Sequence, residues 1–164
     1  MFVGNDPVNK GLLYCAHAAK QLMELYPDLD FRVAGSGFDA IKDSETFKSL
    51  HFIGFLSKEQ LVEEFQSAEV FVFPTLFEGF AGVILEASSC GCPIITTENS
   101  GVDPCNFPGI VIPEKDSKAI VDNVIDIFEN SDMQRTLSIE LYEYAKTFHP
   151  DNYAKRLMSF FEQV

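Results

Sequence analysis

One stretch of this 164-residue chain concentrates side chains that could do chemistry. It reads Pro74-Thr75-Leu76-Phe77-Glu78-Gly79-Phe80-Ala81-Gly82-Val83-Ile84-Leu85-Glu86. Gly79, Ala81 and Gly82 stand where a helical pattern begins. Small residues there let a ligand approach the backbone, and the N–H groups of a helix start favour an anion. Glu78 sits just before the helix and Glu86 about one turn inside it; an all-helical path between them spans roughly 12 Å. Carboxylates are strong acceptors for hydroxyl donors. Two of them bracketing an anion site suit a sugar joined to a nucleoside through a diphosphate, whose sugar and ribose lie about that far apart. The phosphates are left to the helix start and to a cation, for which Lys10, beside Gly11, is the candidate. Each residue also has a plainer reading. Glu78 suits any helix N-terminus, Glu86 could face solvent, and Lys10 could be a solvated lysine at a helix start.

The elements that must position these residues follow from periodicity. Phe2-Val3-Gly4 reads as a strand end. Asn9 to Tyr26 carries apolar residues at Leu12, Leu13, Ala16, Ala19, Leu22, Met23 and Tyr26, a helical face stopped by Pro27. Short strands are predicted at Phe31–Gly35 and Phe52–Gly54. Ser57 and Gln60 form a capping-box pair opening a helix that turns Leu61, Val62 and Phe65 inward. Val70 to Phe73 is an unbroken apolar run, as in a strand covered on both faces. A helix to about Cys90, a strand at Pro93–Thr96, a loop over Glu98–Pro108 and a strand at Ile110–Ile112 follow. Helices over Asp116–Phe128, Asp132–Lys146 and Pro150–Glu162 close the chain. This alternation predicts a single α/β domain over residues 1–164, a three-layer, doubly wound parallel sheet of Rossmann type. Such sheets bind ligands at the carboxyl ends of their strands, which places candidate loops after Gly4, Gly35, Gly54, Pro74 and Thr96. A beginning on a bare strand suggests a cut piece or the second half of a two-lobed protein.

Composition removes other classes. Lys and Arg number 12 against 25 Asp and Glu, a net charge of −13, which offers no basic face for nucleic acid and would be repelled by an anionic membrane. No apolar run approaches a bilayer span, and the N-terminus lacks a signal-peptide pattern. Cys15, Cys90, Cys92 and Cys105 lack zinc-site spacing and read as free, buried or half-buried thiols of a reducing compartment. Gly35-Ser36-Gly37 is half of a dinucleotide fingerprint and equally a plain turn. His17, His51 and His149 have no partner in the sequence pattern and receive no catalytic role. The Phe-rich stretches read as core.

Pro74 to Pro93 resembles the donor-site signature of family-4 retaining glycosyltransferases of the two-lobed GT-B fold. The pattern is Glu, seven residues, Glu, Ala, then Gly-x-Pro and a β-branched pair: here Glu78, Glu86, Ala87, Gly91, Pro93, Ile94 and Ile95. The resemblance covers almost the whole chain. Val3-Gly4 with Lys10-Gly11, Val33-Ala34-Gly35-Ser36-Gly37, Phe52-Ile53-Gly54 and Ala68 to Pro74 match in order and spacing. It implies that this chain is the C-terminal, donor-binding lobe, with the acceptor bound by an N-terminal lobe absent from it. Carried over by position, Glu78 would touch the donor sugar, Glu86 would hold the ribose hydroxyls, and the amides of Gly79, Phe80, Ala81, Gly82 and Val83 would line the sugar and diphosphate. Lys10 would neutralise the leaving phosphate; Gly35, Gly54, Phe55 and Leu56 would lie near the nucleotide. The implied donor is a UDP- or GDP-sugar, the acceptor a glycan or lipid-linked glycan, and no metal is required. The implied location is cytoplasmic, with peripheral membrane attachment through the missing lobe as an option. Two residues depart from the pattern. Asn5 stands where the family has Arg, and Ala81 where it has Gly, with Gly82 next. These departures favour the alternative of a catalytically degenerate nucleotide-sugar-binding or assembly module. An epimerase or phosphorylase on the same plan, or a receiver-type α/β domain, are more distant alternatives.

Overall fold

A computed structural model describes residues 1–148 of the chain. The helix expected over Pro150–Glu162, and His149, lie outside the described residues. The elements are β1 (Phe2–Gly4), α1 (Leu12–Leu25), β2 (Arg32–Gly35), β3 (His51–Gly54), α2 (Lys58–Ser67), β4 (Phe71–Phe73), α3 (Gly82–Ser89), β5 (Ile94–Thr97), a 3₁₀ turn (Glu98–Ser100), β6 (Ile110–Ile112), α4 (Ser117–Glu129) and α5 (Ser131–Lys146). β1, β2 and β3 form one parallel ladder and β4, β5 and β6 another. The two ladders meet edge to edge. The Met1 amine donates to the Val70 carbonyl at 2.7 Å and the Val72 N–H to the Met1 carbonyl at 2.9 Å. Across the sheet the order is therefore β3-β2-β1-β4-β5-β6. α1 packs on α4 and α3 on α5, as winding on both faces requires. The doubly wound parallel α/β fold read from the sequence is the fold observed.

The core forms where periodicity predicts it. Phe71, Val72 and Phe73 are buried on both faces of β4, and all four residues of β5 are buried. The Phe71 ring lies 5.2 Å from Phe65 and 5.7 Å from Phe73, which in turn lies 6.3 Å from Phe2. These contacts fasten α2, β4 and β1 together, each ring contributing about 1.5–3 kcal/mol by burial. The Ser57–Gln60 capping box forms in both directions, so α2 begins where its sequence signal says. Two side chains expected inward do not go there. Leu13 on α1 and Val62 on α2 are exposed, whereas Cys15 and Ala18 are buried on α1 instead. A stripe drawn from spacing alone was too wide: the buried arcs centre on Leu12–Ala19–Leu22 and on Phe65. Helix α1 also starts later than expected, because Pro7–Gly11 form tight turns. Cys15 and Cys92 are buried, Cys90 is half-buried and Cys105 is exposed, a correction to the expectation that all four are shielded. Burial pushes the Cys15 thiol far up and that of Cys92 up to about 12, so both behave as small apolar side chains.

Candidate functional site

In an open parallel sheet, the connections leave in opposite directions from the two strands at which the order reverses. Their loops part and leave a crevice at the carboxyl edge. Here those strands are β1 and β4. The loop Asn5–Gly11 follows β1, and the loop Pro74–Ala81 follows β4 and opens α3. The fold thus brings together two sequence segments that lie about 70 residues apart.

The loops are bound to one another and their floor is rigid. The Leu76 N–H donates to the Asn9 carbonyl at 2.7 Å, and the Thr75 hydroxyl donates to the same oxygen at 2.9 Å. Gly11 has φ of +73°, and a Cβ there would stand 2.1 Å from the Pro74 carbonyl oxygen. Asp6 shapes the first loop by accepting from the N–H groups of Val8 (3.1 Å) and Asn9 (3.0 Å) and from the Asn9 amide (2.7 Å). Those bonds, led by the Asn9 backbone, hold its carboxyl below the usual range. From the other side, the 3₁₀ turn after β5 grips the second loop. The Ala81 N–H donates to the Ser100 carbonyl at 3.0 Å, and Gly101 (φ +81°) lies so close to Gly79 that a Cβ would come within 2.3 Å of its oxygen. Thr97 donates to the Thr75 carbonyl at 2.5 Å and Ser100 to that of Thr97 at 2.7 Å.

Lys10 and Glu78 meet across this crevice as an ion pair, 68 residues apart in sequence. The Lys10 ammonium also lies 5.6 Å from the centre of the Phe73 ring. Beside them is the start of α3, which has no side-chain cap. Among the described residues, no acceptor is found for the N–H groups of Phe80, Gly82 and Val83. A Cβ on Gly79 or Gly82 would meet nothing within 4 Å, so this surface is open. A cation, a carboxylate and unbonded amides at the positive end of a helix therefore stand together, and they can receive a phosphate and a hydroxyl side by side.

Not every predicted site residue joins this cluster. The Ala81 amide is committed to Ser100 and the residue is 4% exposed, so its methyl group is packed inward and does not narrow the crevice. Glu86 is exposed on α3, sharing a stripe with Gly82 and Ser89, and its carboxylate has no partner among the described residues. The path from Glu78 to Glu86 is half loop and half helix, not the continuous helix assumed from the sequence. Gly35 (φ +134°) abuts Gly4, where a Cβ would stand 1.7 Å from the carbonyl oxygen; close strand packing alone accounts for this glycine. Gly54 (φ +77°), the exposed Phe55 (82%) and the half-buried Leu56 form the loop after β3, on the same carboxyl edge. Asn5 is exposed in the β1 loop. Asn9, Thr75, Ser100 and Gly101, which hold the two loops, were not singled out from sequence. The Thr75, Thr96 and Thr97 cluster at two buried strand ends was the available signal.

A cavity of about 670 Å³ opens at the opposite edge of the sheet, lined by Met1, Tyr26, Asp30, Arg32, Glu64 and Val70 among others. Its size does not make it the better anion site. Arg32 is neutralised by Glu64 at 2.8 Å and Asp30 at 3.6 Å, and Asp28 and Glu69 add negative charge. Among the described residues no helix is long and apolar enough to cross a membrane.

Residues 1–130 match the family described as glycosyl transferases group 1. The chain is 26% identical, over 99% of its length, to a D-inositol 3-phosphate glycosyltransferase of Corynebacterium urealyticum, of which it covers 42%. It thus spans between about a quarter and two fifths of the length of the curated relatives it matches. Among solved structures, it superposes on the C-terminal domain of the group 1 glycosyl transferase LpcC from Francisella tularensis. There the TM-score is 0.72 and the identity 22%, over 90% of this chain and 83% of that one. It also superposes on Alr3699/HepE of Anabaena in complex with UDP-glucose, with a TM-score of 0.78 at 16% identity, over 99% of this chain and 48% of that one.

Proposed function

The chain belongs to the group 1 glycosyl transferases, and on that premise we propose that it is the donor-binding lobe of a retaining enzyme. It takes a UDP- or GDP-sugar and serves a glycan or lipid-linked acceptor held by a second, N-terminal lobe. The observation that carries this reading is the meeting of Lys10, Glu78 and the uncapped start of α3 at the β1–β4 crevice. The UDP-glucose complex of a protein with the same fold supports a nucleotide sugar as the ligand.

The proposed division of labour follows from chemistry. The amides of Gly82 and Val83, with Lys10, take the diphosphate and the charge that develops on it as the glycosidic bond breaks. Glu78 accepts from hydroxyls of the donor sugar. Glu86, exposed and unpartnered one turn into α3, is free to accept from the two ribose hydroxyls. Gly54, Phe55 and Leu56 provide an apolar surface for the base. The cation and the helix start stand in the place where other diphosphate sites use a divalent ion.

Calorimetric titration of the full protein with UDP, GDP, UDP-glucose and GDP-mannose tests this. At least one of them is expected to bind. Glu86→Ala is expected to weaken it about tenfold, as the loss of a charge-assisted hydrogen bond of about 1.5 kcal/mol requires. Binding of none of the four, or affinity untouched by Glu86→Ala, contradicts the assignment. A degenerate lobe that binds but does not turn over is the second reading. Asn5 favours it, since the β1 loop presents an exposed amide at a position suited to a second cation. Donor hydrolysis or transfer by the full protein separates the two.

A further inference from the structure

The Lys10–Glu78 ion pair has a consequence for which ligands the crevice admits. The two side chains are 18% and 26% exposed, so water screens them only in part and a lone charge at either position is costly. The free protein satisfies both charges by pairing them. A diphosphate that takes Lys10 leaves the Glu78 carboxylate without its partner and places it beside new negative charge. A ligand that also brings hydroxyl groups to Glu78 replaces the lost partner with hydrogen bonds.

We infer that the Lys10–Glu78 ion pair discriminates between ligands: it disfavours a bare nucleoside diphosphate and yields to one that carries sugar hydroxyls. This deepens the donor-site reading and rests on it. On the reaction the lobe is proposed to serve, the device acts at two points. Before reaction, it resists occupation of the site by free nucleoside diphosphate. After transfer, departure of the sugar strips Glu78 of its hydroxyl donors, and the ion pair re-forms as the spent diphosphate leaves. Two neighbouring features make the pair effective. Lys10 leans over the Phe73 ring, which holds the ammonium at the crevice mouth. The loops that carry both residues are fastened through Asn9, Thr75 and Leu76, so the two backbones that carry the charges are held beside one another.

Removing one acidic charge should therefore improve binding of a product without improving that of a substrate. Glu78→Gln keeps the size, removes the charge, leaves one acceptor oxygen in place of two and releases Lys10 from the ion pair. Titration of wild type and Glu78→Gln with UDP, GDP, UDP-glucose and GDP-mannose reads it directly. Glu78→Gln is expected to bind the nucleoside diphosphate about tenfold more tightly than wild type, by removal of a close, partly desolvated charge. Its affinity for the matching nucleotide sugar should fall or stay level, so the preference for sugar nucleotide over diphosphate drops by about tenfold or more. Unchanged or weaker diphosphate binding by Glu78→Gln, in a protein whose wild type binds the nucleotide sugar, overturns the inference and leaves the donor site standing. Absence of any nucleotide binding to wild type overturns both. Thermal melting of the two proteins without ligand guards against misfolding; Glu78→Asp, which keeps the charge, is expected to retain the wild-type preference.

Discussion

Gly11→Ala is expected to destabilise the protein by about 2–4 kcal/mol. Two costs add. Gly11 adopts φ of +73°, a left-handed conformation that costs an alanine about 1–2 kcal/mol. Its new Cβ would also stand 2.1 Å from the Pro74 carbonyl oxygen, and that atom is backbone at the buried end of β4, so it cannot step aside cheaply. The damage reaches function because Gly11 adjoins Lys10 and Pro74 opens the loop that carries Glu78. Urea unfolding of wild type and variant measures the loss. Gly79→Ala is the matched control: nothing lies within 4 Å of its Cβ, and its stability change should stay within about 0.5 kcal/mol. Equal stability of Gly11→Ala and wild type would show that the two loops are not packed as described.

The second large effect belongs to Lys10→Gln. As the cation assigned to the leaving diphosphate, Lys10 should matter more in the transition state than in the ground state, because negative charge grows on the phosphate as the glycosidic bond breaks. Loss of one such group is expected to slow transfer or donor hydrolysis about 10²–10³-fold. Diphosphate affinity should fall as well, since the variant loses the Lys10 cation and keeps the Glu78 carboxylate. Rates of UDP or GDP release from the nucleotide sugar, with affinities by calorimetry, check both parts. Lys10→Gln and Glu78→Gln thus shift diphosphate affinity in opposite directions, an outcome that a purely structural ion pair does not produce. Retention of wild-type rate by Lys10→Gln removes Lys10 from the site.

Much of this is legible in the sequence. The unbroken Phe71–Phe73 run announced a strand with two covered faces, and the Ser57–Gln60 pair marked a helix start to the residue. The segment Glu78–Glu86 stood out because small residues and carboxylates share a helix entrance. These are local signals, carried by neighbours in sequence. The rest is contact at a distance. Spacing cannot say that Lys10 reaches Glu78, because that depends on β1 and β4 lying side by side. It cannot say that Gly11 and Gly35 are required by the backbones of Pro74 and Gly4. Nor could it foresee that the Ala81 amide, counted among the ligand's donors, is used to anchor the loop to Ser100. Leu13 and Val62 failed for a related reason: a helix buries the arc its neighbours cover, and the sequence shows only the arc it could bury.

A structure of the protein bound to the nucleotide sugar that titration selects tests the central claim most directly. The diphosphate is expected between the ends of β1 and β4, within hydrogen-bond distance of the Lys10 ammonium and of the Gly82 and Val83 N–H groups, with Glu78 turned from Lys10 onto sugar hydroxyls. A ligand seated instead at the opposite edge of the sheet, among Met1, Tyr26 and Arg32, or a complex in which Lys10 and Glu78 remain paired with each other, would contradict it.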